Sequence, residues 1–212
     1  MIESSDNASH KINVKNLSKY EKHTAKAIKV LRKSHIIHEI IEAVSTLEKT
    51  TSKSIDSCKL LLKARAHDNL LSLLGSCNRS SPHVELVRLI LHILTNISRH
   101  QSTLSMIMTR ESSSSISDVI QMYRDKPDIF ALSTSLLESF VRSDNFVLLE
   151  YSSRENQKCL HGVLALSQER ASARSRSCPD LDKGIASLKN VMHILEHGRP
   201  KPAACPYCNR EF

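Results

Sequence analysis

Between Pro82 and His100 the chain carries a helical pattern with almost no polar face. Glu85, Arg88, His92, Thr95, Asn96 and Arg99 fall on one narrow stripe. Val84, Leu86, Val87, Leu89, Ile90, Leu91, Ile93, Leu94 and Ile97 fill the rest of the circumference. A helix that is apolar on most sides must be covered on several of them. The inner helix of an α-solenoid repeat has this character, because neighbouring repeats flank it and its own partner helix backs it.

Composition points the same way. The 212 residues include 4 glycines and 6 prolines, about 5% of the chain against roughly 12% in average usage. That scarcity argues against a β-rich fold and against glycine-rich phosphate or dinucleotide loops. The hydrophobic fraction of 40% suffices for a core, which argues against a fully disordered chain. Tryptophan is absent and aromatics make up 4%, so stacking of nucleic-acid bases has little to work with.

Other helical stripes surround the central one. Ile36, Ile37, Ile40, Ile41, Val44 and Leu47 form one, with Glu39, Glu42 and Glu48 facing outward. A short leucine-rich segment follows (Cys58 to Leu62), then a helix from Asn69 to Leu74 that Gly75 is expected to cap. Ser80-Ser81-Pro82 reads as a helix start. Ser112–Ser115 reads as a loop, and helices follow on Ile116, Val119, Ile120 and Tyr123 and, past Lys126-Pro127, on Ile129, Leu132, Leu136, Leu137, Phe140 and Val141. Leu160, Val163, Leu164 and Leu166 mark another. The last helix carries Leu181, Ile185, Leu188, Met192 and Leu195 and ends at Gly198. Stripes beginning at Ile36, Val84 and Ile129 lie 48 and 45 positions apart, close to the roughly 40–47 residues of armadillo or HEAT repeats. The predicted fold is all-α, an armadillo/HEAT-like α-solenoid of short helix pairs and triplets. An irregular helical bundle has the same periodicity.

The net charge of +8 is local. Lys11, Lys15, Lys19, Lys22, Lys26, Lys29 and Lys33 recur at steps of four and three, which places them on one helical face. With Arg32, and against Glu21 alone, they account for nearly all of the excess. Such a row is a localised device and not a general nucleic-acid surface. Three readings stay open: a solvated helix closing one end of a solenoid, a target for calmodulin or a similar acidic helical protein, or a contact with the acidic surface of tubulin.

Leu70-Leu-Ser-Leu-Leu-Gly-Ser-Cys-Asn-Arg-Ser-Ser-Pro82, the following Val84-Glu-Leu-Val-Arg88 and Leu94-Thr-Asn-Ile-Ser98, Ile120-Gln-Met-Tyr-Arg-Asp-Lys-Pro127, Arg174-Ser-Arg-Ser177 and the segment Ala43 to Glu48 resemble the C-terminal armadillo-like region of the abnormal spindle family. The resemblance runs over roughly residues 25–197. It implies a partner-docking platform in spindle and microtubule organisation. The family's calponin-homology domains and Ile-Gln-x-x-x-Arg-Gly motifs are missing from this chain, so the activities of those parts are not carried over. The loop Cys77-Asn78-Arg79 reads as structural, with Asn78 turning the chain.

Six cysteines without a signal peptide read as reduced intracellular thiols, mostly small core hydrophobes. Cys205-Pro-Tyr-Cys208 offers two zinc ligands where four are usual. His193 and His197, one turn apart, are the weak candidates to complete the set. It also looks like the opening of a zinc finger cut off before its histidines, or simply an unstructured tail. Arg174-Ser175-Arg176-Ser177 suits a basophilic kinase, although an ordinary exposed loop has the same composition. No H-E-x-x-H, G-x-S-x-G, Walker or dinucleotide motif occurs. The expectation is a non-enzymatic chain without a cofactor. It has a polar tail over residues 1–18, a repeat domain over 19–197 with a basic helix at its start, and a Pro-rich disordered tail over 198–212. Glu85, Arg88, His92, Asn96 and Arg99 are the expected partner-binding residues. The expected location is the cytoplasm and spindle cytoskeleton, or the nucleus, with no membrane and no specific nucleic acid.

Overall fold

The computed structural model describes residues 18–143, 147 and 151–198. The fold is all-α: ten helices occur among the described residues. It is consistent with a helical-repeat protein. Packing divides the chain into two compact units, Met1–Ile107 and Met108–Phe212, within what the sequence suggests as one repeat domain over 19–197.

The first unit opens with α1 (Lys19–Lys33). Ser18 fixes its start through a capping box: its hydroxyl accepts from the Glu21 amide at 3.3 Å, and the Glu21 carboxylate accepts from the Ser18 amide at 2.8 Å. These bonds hold the Glu21 carboxyl below its ordinary value. Thr24, Ala27, Ile28 and Leu31 form the buried side of α1, packed against α2 (Ile37–Thr51) and α3 (Ile55–Lys63). Helix α4 (Ala66–Ser76) follows α3 through Arg65, whose φ of 52° is left-handed. The guanidinium of Arg32 donates to the Ala64 carbonyl and ties the end of α1 to this joint.

Helix α5 (Ser81–Ser98) is the apolar helix that the sequence singles out, and it is covered as expected by α2, α3, α4 and the short α6 (Gln101–Leu104). Leu86, Val87, Ile90, Leu91, Ile93, Leu94 and Ile97 are buried. Pro82 lies in its first turn, while the Ser80 side chain makes no cap bond.

Two details of the first unit differ from the sequence reading. Helix α4 continues through Gly75 to Ser76, and Cys77, in an extended conformation, ends it instead. Ile36 and Ile37 are 59% and 36% exposed because they sit at the beginning of α2, short of the neighbours that bury Ile40, Val44 and Leu47.

The second unit holds α7 (Arg110–Met122), α8 (Pro127–Ser143), α9 (Arg154–Ser172) and α10 (Pro179–His197). The serine run 112–115 lies inside α7, not in a loop. Thr109 and Ser112 cap each other through side chains and backbone amides, which makes serine a good first-turn residue here. Helices α8 and α10 pack closely. A Cβ on Gly184 would lie 2.5 Å from Phe130 Cδ1 and 3.3 Å from Ala131 Cα, so only glycine allows this approach. Leu166 on α9 is 45% exposed, whereas Leu160 and Val163 are buried. No described helix is long and apolar enough to cross a membrane.

Candidate functional site: two polar faces of the first unit

The lysine row stands on the free side of α1. Lys19, Lys22, Lys26, Lys29 and Lys33 are all exposed, and none forms an ion pair among the described residues. Lys11 and Lys15 lie outside the described residues. The opposite side of the helix is internal, with Ala27 and Ile28 only 4% and 2% exposed. A groove of about 700 Å³ runs between α1 and α2. Its walls mix Lys26 and His23 with Glu39 and Glu42, so it favours neither sign of charge.

The polar stripe of α5 is divided. Glu85 is exposed, as is Arg99 in the turn just past the helix, which ends at Ser98 and not at His100. Arg88 and His92 are half-buried. Asn96 corrects the sequence reading: it is 5% exposed and belongs to the interior. Its side-chain amide donates to Thr51 Oγ1 at 3.2 Å and to the Glu48 carbonyl at 3.5 Å. One residue before, Thr50 Oγ1 accepts from Thr24 Oγ1 at 2.8 Å. Side chains of α1, α2 and α5 are thereby tied by hydrogen bonds across the core. A buried amide needs such partners, and here they consume the group that would have met a ligand. The threonines gave no sign of this role, since Thr50 and Thr51 end the stripe of α2 without interrupting it.

In the loop before α5, Asn78 Oδ1 accepts from the Ser80 amide at 2.9 Å, and the Asn78 amide donates to His83 Nδ1 at 3.1 Å. This is the chain-turning role expected of Asn78. Burial pushes the thiols of Cys58 and Cys77 up to about 11, so neither is a thiolate at neutral pH. His67, to which no sequence pattern draws attention, is 8% exposed. Its Nδ1 has no hydrogen-bond partner among the described residues, and its Nε2 lies 3.2 Å from Asp68 Oδ1. Burial lowers its pKa from 6.5 despite that carboxylate.

His193 and His197 are exposed, with ring centroids 4.6 Å apart and stacked. His197 Nδ1 lies 3.2 Å from the His193 carbonyl. No group of three or more His, Cys, Asp or Glu among the described residues is arranged to hold a metal. Cys205 and Cys208 lie outside the described residues.

Comparison with known proteins agrees with the resemblance over a shorter stretch. The chain is 32% identical over 111 residues to the abnormal spindle-like microcephaly-associated proteins of dog and human. It is 30% identical over 116 residues to that of the squirrel monkey Saimiri boliviensis boliviensis. The dog and human matches cover 52% of this chain but only 3% of each relative. No protein-family profile matches the chain.

Proposed function

We propose that the chain is a non-enzymatic protein-interaction module of armadillo-like repeats that works in the organisation of the mitotic spindle. One observation carries this reading: half of the chain is similar to abnormal spindle-like proteins, and it folds into helical units. The docking groups are Glu85, Arg88 and His92 on α5 and Arg99 just past its end, with Asn96 withdrawn to the core. A repeat protein exposes side chains from a rigid helix at fixed spacing, which suits recognition of another protein's surface. The chain acts in the cytoplasm, on the spindle.

A second reading is favoured by the lysines of α1. Five exposed ammonium groups on one side of an anchored helix make a strip for an acidic partner, tubulin foremost, with affinity that falls as salt rises. Calmodulin is a poorer fit, because it grips apolar anchors and those of α1 are buried in the unit.

Affinity capture from mitotic extract, read by quantitative mass spectrometry, separates the two. Three baits are needed: the intact chain, Glu85→Arg/Arg99→Glu, and Lys22→Glu/Lys26→Glu/Lys29→Glu. The first reading predicts identified spindle proteins that are lost with the α5 variant and retained by the lysine variant. Tubulin lost only with the lysine variant would replace it by the second. Capture of no spindle protein and no tubulin by the intact chain would refute both.

A further inference from the structure

We propose that Ser177 is a phosphorylation switch whose phosphorylated form docks an arginine-clamp phosphoserine adaptor. Residues 174–178 have no regular secondary structure, and residues 172–177 are all exposed between α9 and α10. A kinase needs such a segment, because its cleft takes substrate as an extended strand. Arg174 stands three residues before Ser177 and Arg176 directly before it, the pattern that an acidic kinase cleft selects. Ser175 is equally exposed but has Ser172 at the corresponding position, so the arginines single out Ser177.

The resting contact is specific. Ser177 Oγ donates to Asp182 Oδ2 at 2.9 Å, folding the loop back on the first turn of α10. On the other side Arg170 donates to the Arg124 carbonyl at 3.0 Å and holds the end of α9 to the turn between α7 and α8. Beyond Arg170 the Arg174 amide donates to the Ala171 carbonyl at 3.3 Å, and the Ser177 hydroxyl pins the loop to α10. Phosphorylation removes that pin. Ser177 Oγ attacks the γ-phosphorus of magnesium-bound ATP in a basophilic serine kinase. The Oγ–P bond forms, the bond to the ADP oxygen breaks, ADP leaves, and the hydroxyl proton passes to the kinase's base. The product has no proton to donate to Asp182 and carries about −1.5 to −2 charges at neutral pH. It then faces Asp180 and Asp182, which already occupy the N-terminal turn of α10. Repulsion from these carboxylates drives the loop outward.

The released segment reads Arg174-Ser175-pSer177 with Arg176 between, followed by Cys178 and Pro179. An adaptor of the 14-3-3 class clamps such a phosphate with an arginine cluster. Pro179, two residues on, cannot continue an extended strand's hydrogen bonding and turns the chain out of the groove. Cys178 is already extended, at φ −123° and ψ 95°, so docking asks for no change there.

The test uses the full chain, a purified basophilic serine kinase with magnesium ATP, and a recombinant adaptor of the 14-3-3 class. Tandem mass spectrometry should place the principal phosphate on Ser177, and Ser177→Ala should remove it while Ser175→Ala keeps it. The phosphorylated chain should bind the adaptor at least about tenfold more tightly than the unmodified one, since a charge-assisted hydrogen bond alone supplies that much. Pro179→Ala should weaken adaptor binding and leave phosphate incorporation unchanged, a split that a misfolded variant would not give. Phosphate placed elsewhere, or a Ser177-phosphorylated chain that the adaptor ignores, overturns the proposal.

Discussion

Hydrogen bonds join helices inside each unit, and the second unit adds a steric contact. In the first, a hydrogen-bonded pair (Thr24 and Thr50) joins α1 to α2, and another (Asn96 and Thr51) joins α2 to α5. In the second, Asn190 Nδ2 of α10 donates to Glu138 Oε1 of α8 at 3.0 Å and the Ser135 and Ser187 hydroxyls bond at 3.2 Å. The same two helices approach until Gly184 lies against the ring of Phe130. A polar tie fixes partners and register but tolerates a gap, whereas a glycine contact tolerates no added atom. The same distinction explains which features escape a reading of the sequence. Asn96 looks like a surface group because it is polar, and Gly184 looks like nothing because it is one glycine within a helix.

The largest effect should come from filling the steric join. Gly184→Leu places a side chain where even a Cβ has no room, and should cost about 3 kcal/mol, the upper part of the range for overpacking. Hydrogen exchange should show protection lost in α8 and α10 while α2 and α5 keep theirs. Loss spread evenly over all four would show that the units do not open separately.

Asn96→Ala tests the polar tie and should cost about 2 kcal/mol by urea unfolding, through a lost buried amide and the space it leaves. A change below about 0.5 kcal/mol, the size expected of an exposed residue, would return Asn96 to the surface.

Acid should distinguish the units next. Burial lowers the pKa of His67 from 6.5 in the folded chain, while the unfolded chain takes up the proton near 6.5. The first unit therefore loses stability as pH falls below about 6.5, and no further once the folded ring titrates as well. His67→Gln should remove this part of the pH dependence in unfolding followed from pH 7.5 to 5. An unchanged slope would assign it to other groups.

The cysteines should differ in rate without any change in folding. Cys58 and Cys77 of the first unit are buried, with thiols pushed up to about 11. Cys159 and Cys178 of the second are partly exposed. A disulfide reagent at pH 8 should label the latter pair well before the former, as peptide mapping would show. Least of all should the lysine row matter to stability. Lys22→Gln, Lys26→Gln and Lys29→Gln should each shift unfolding by no more than about 0.5 kcal/mol, because these side chains are exposed and form no ion pair among the described residues.

Much of the fold follows from periodicity. The apolar helix α5 is where the spacing of residues puts it, since an apolar circumference is a local signal of burial. What periodicity cannot carry is depth along a helix. Ile36 and Ile37 match the stripe of α2 but lie at its end, beyond the neighbours that would cover them. Serine likewise reads as loop until Thr109 and Ser112 are seen to cap each other. The lysine face was readable because repeated like charge has no interior solution. The α5 stripe was readable only in part, because an amide can be satisfied either by solvent or by a threonine across the core.

Imaging in dividing cells confronts the proposed role most directly. The full chain, fluorescently tagged, should concentrate on the mitotic spindle, and Glu85→Arg/Arg99→Glu should disperse it without loss of helical circular dichroism in the purified protein. A chain that stays uniformly distributed through mitosis, at an expression level where it is folded, would contradict a role in spindle organisation.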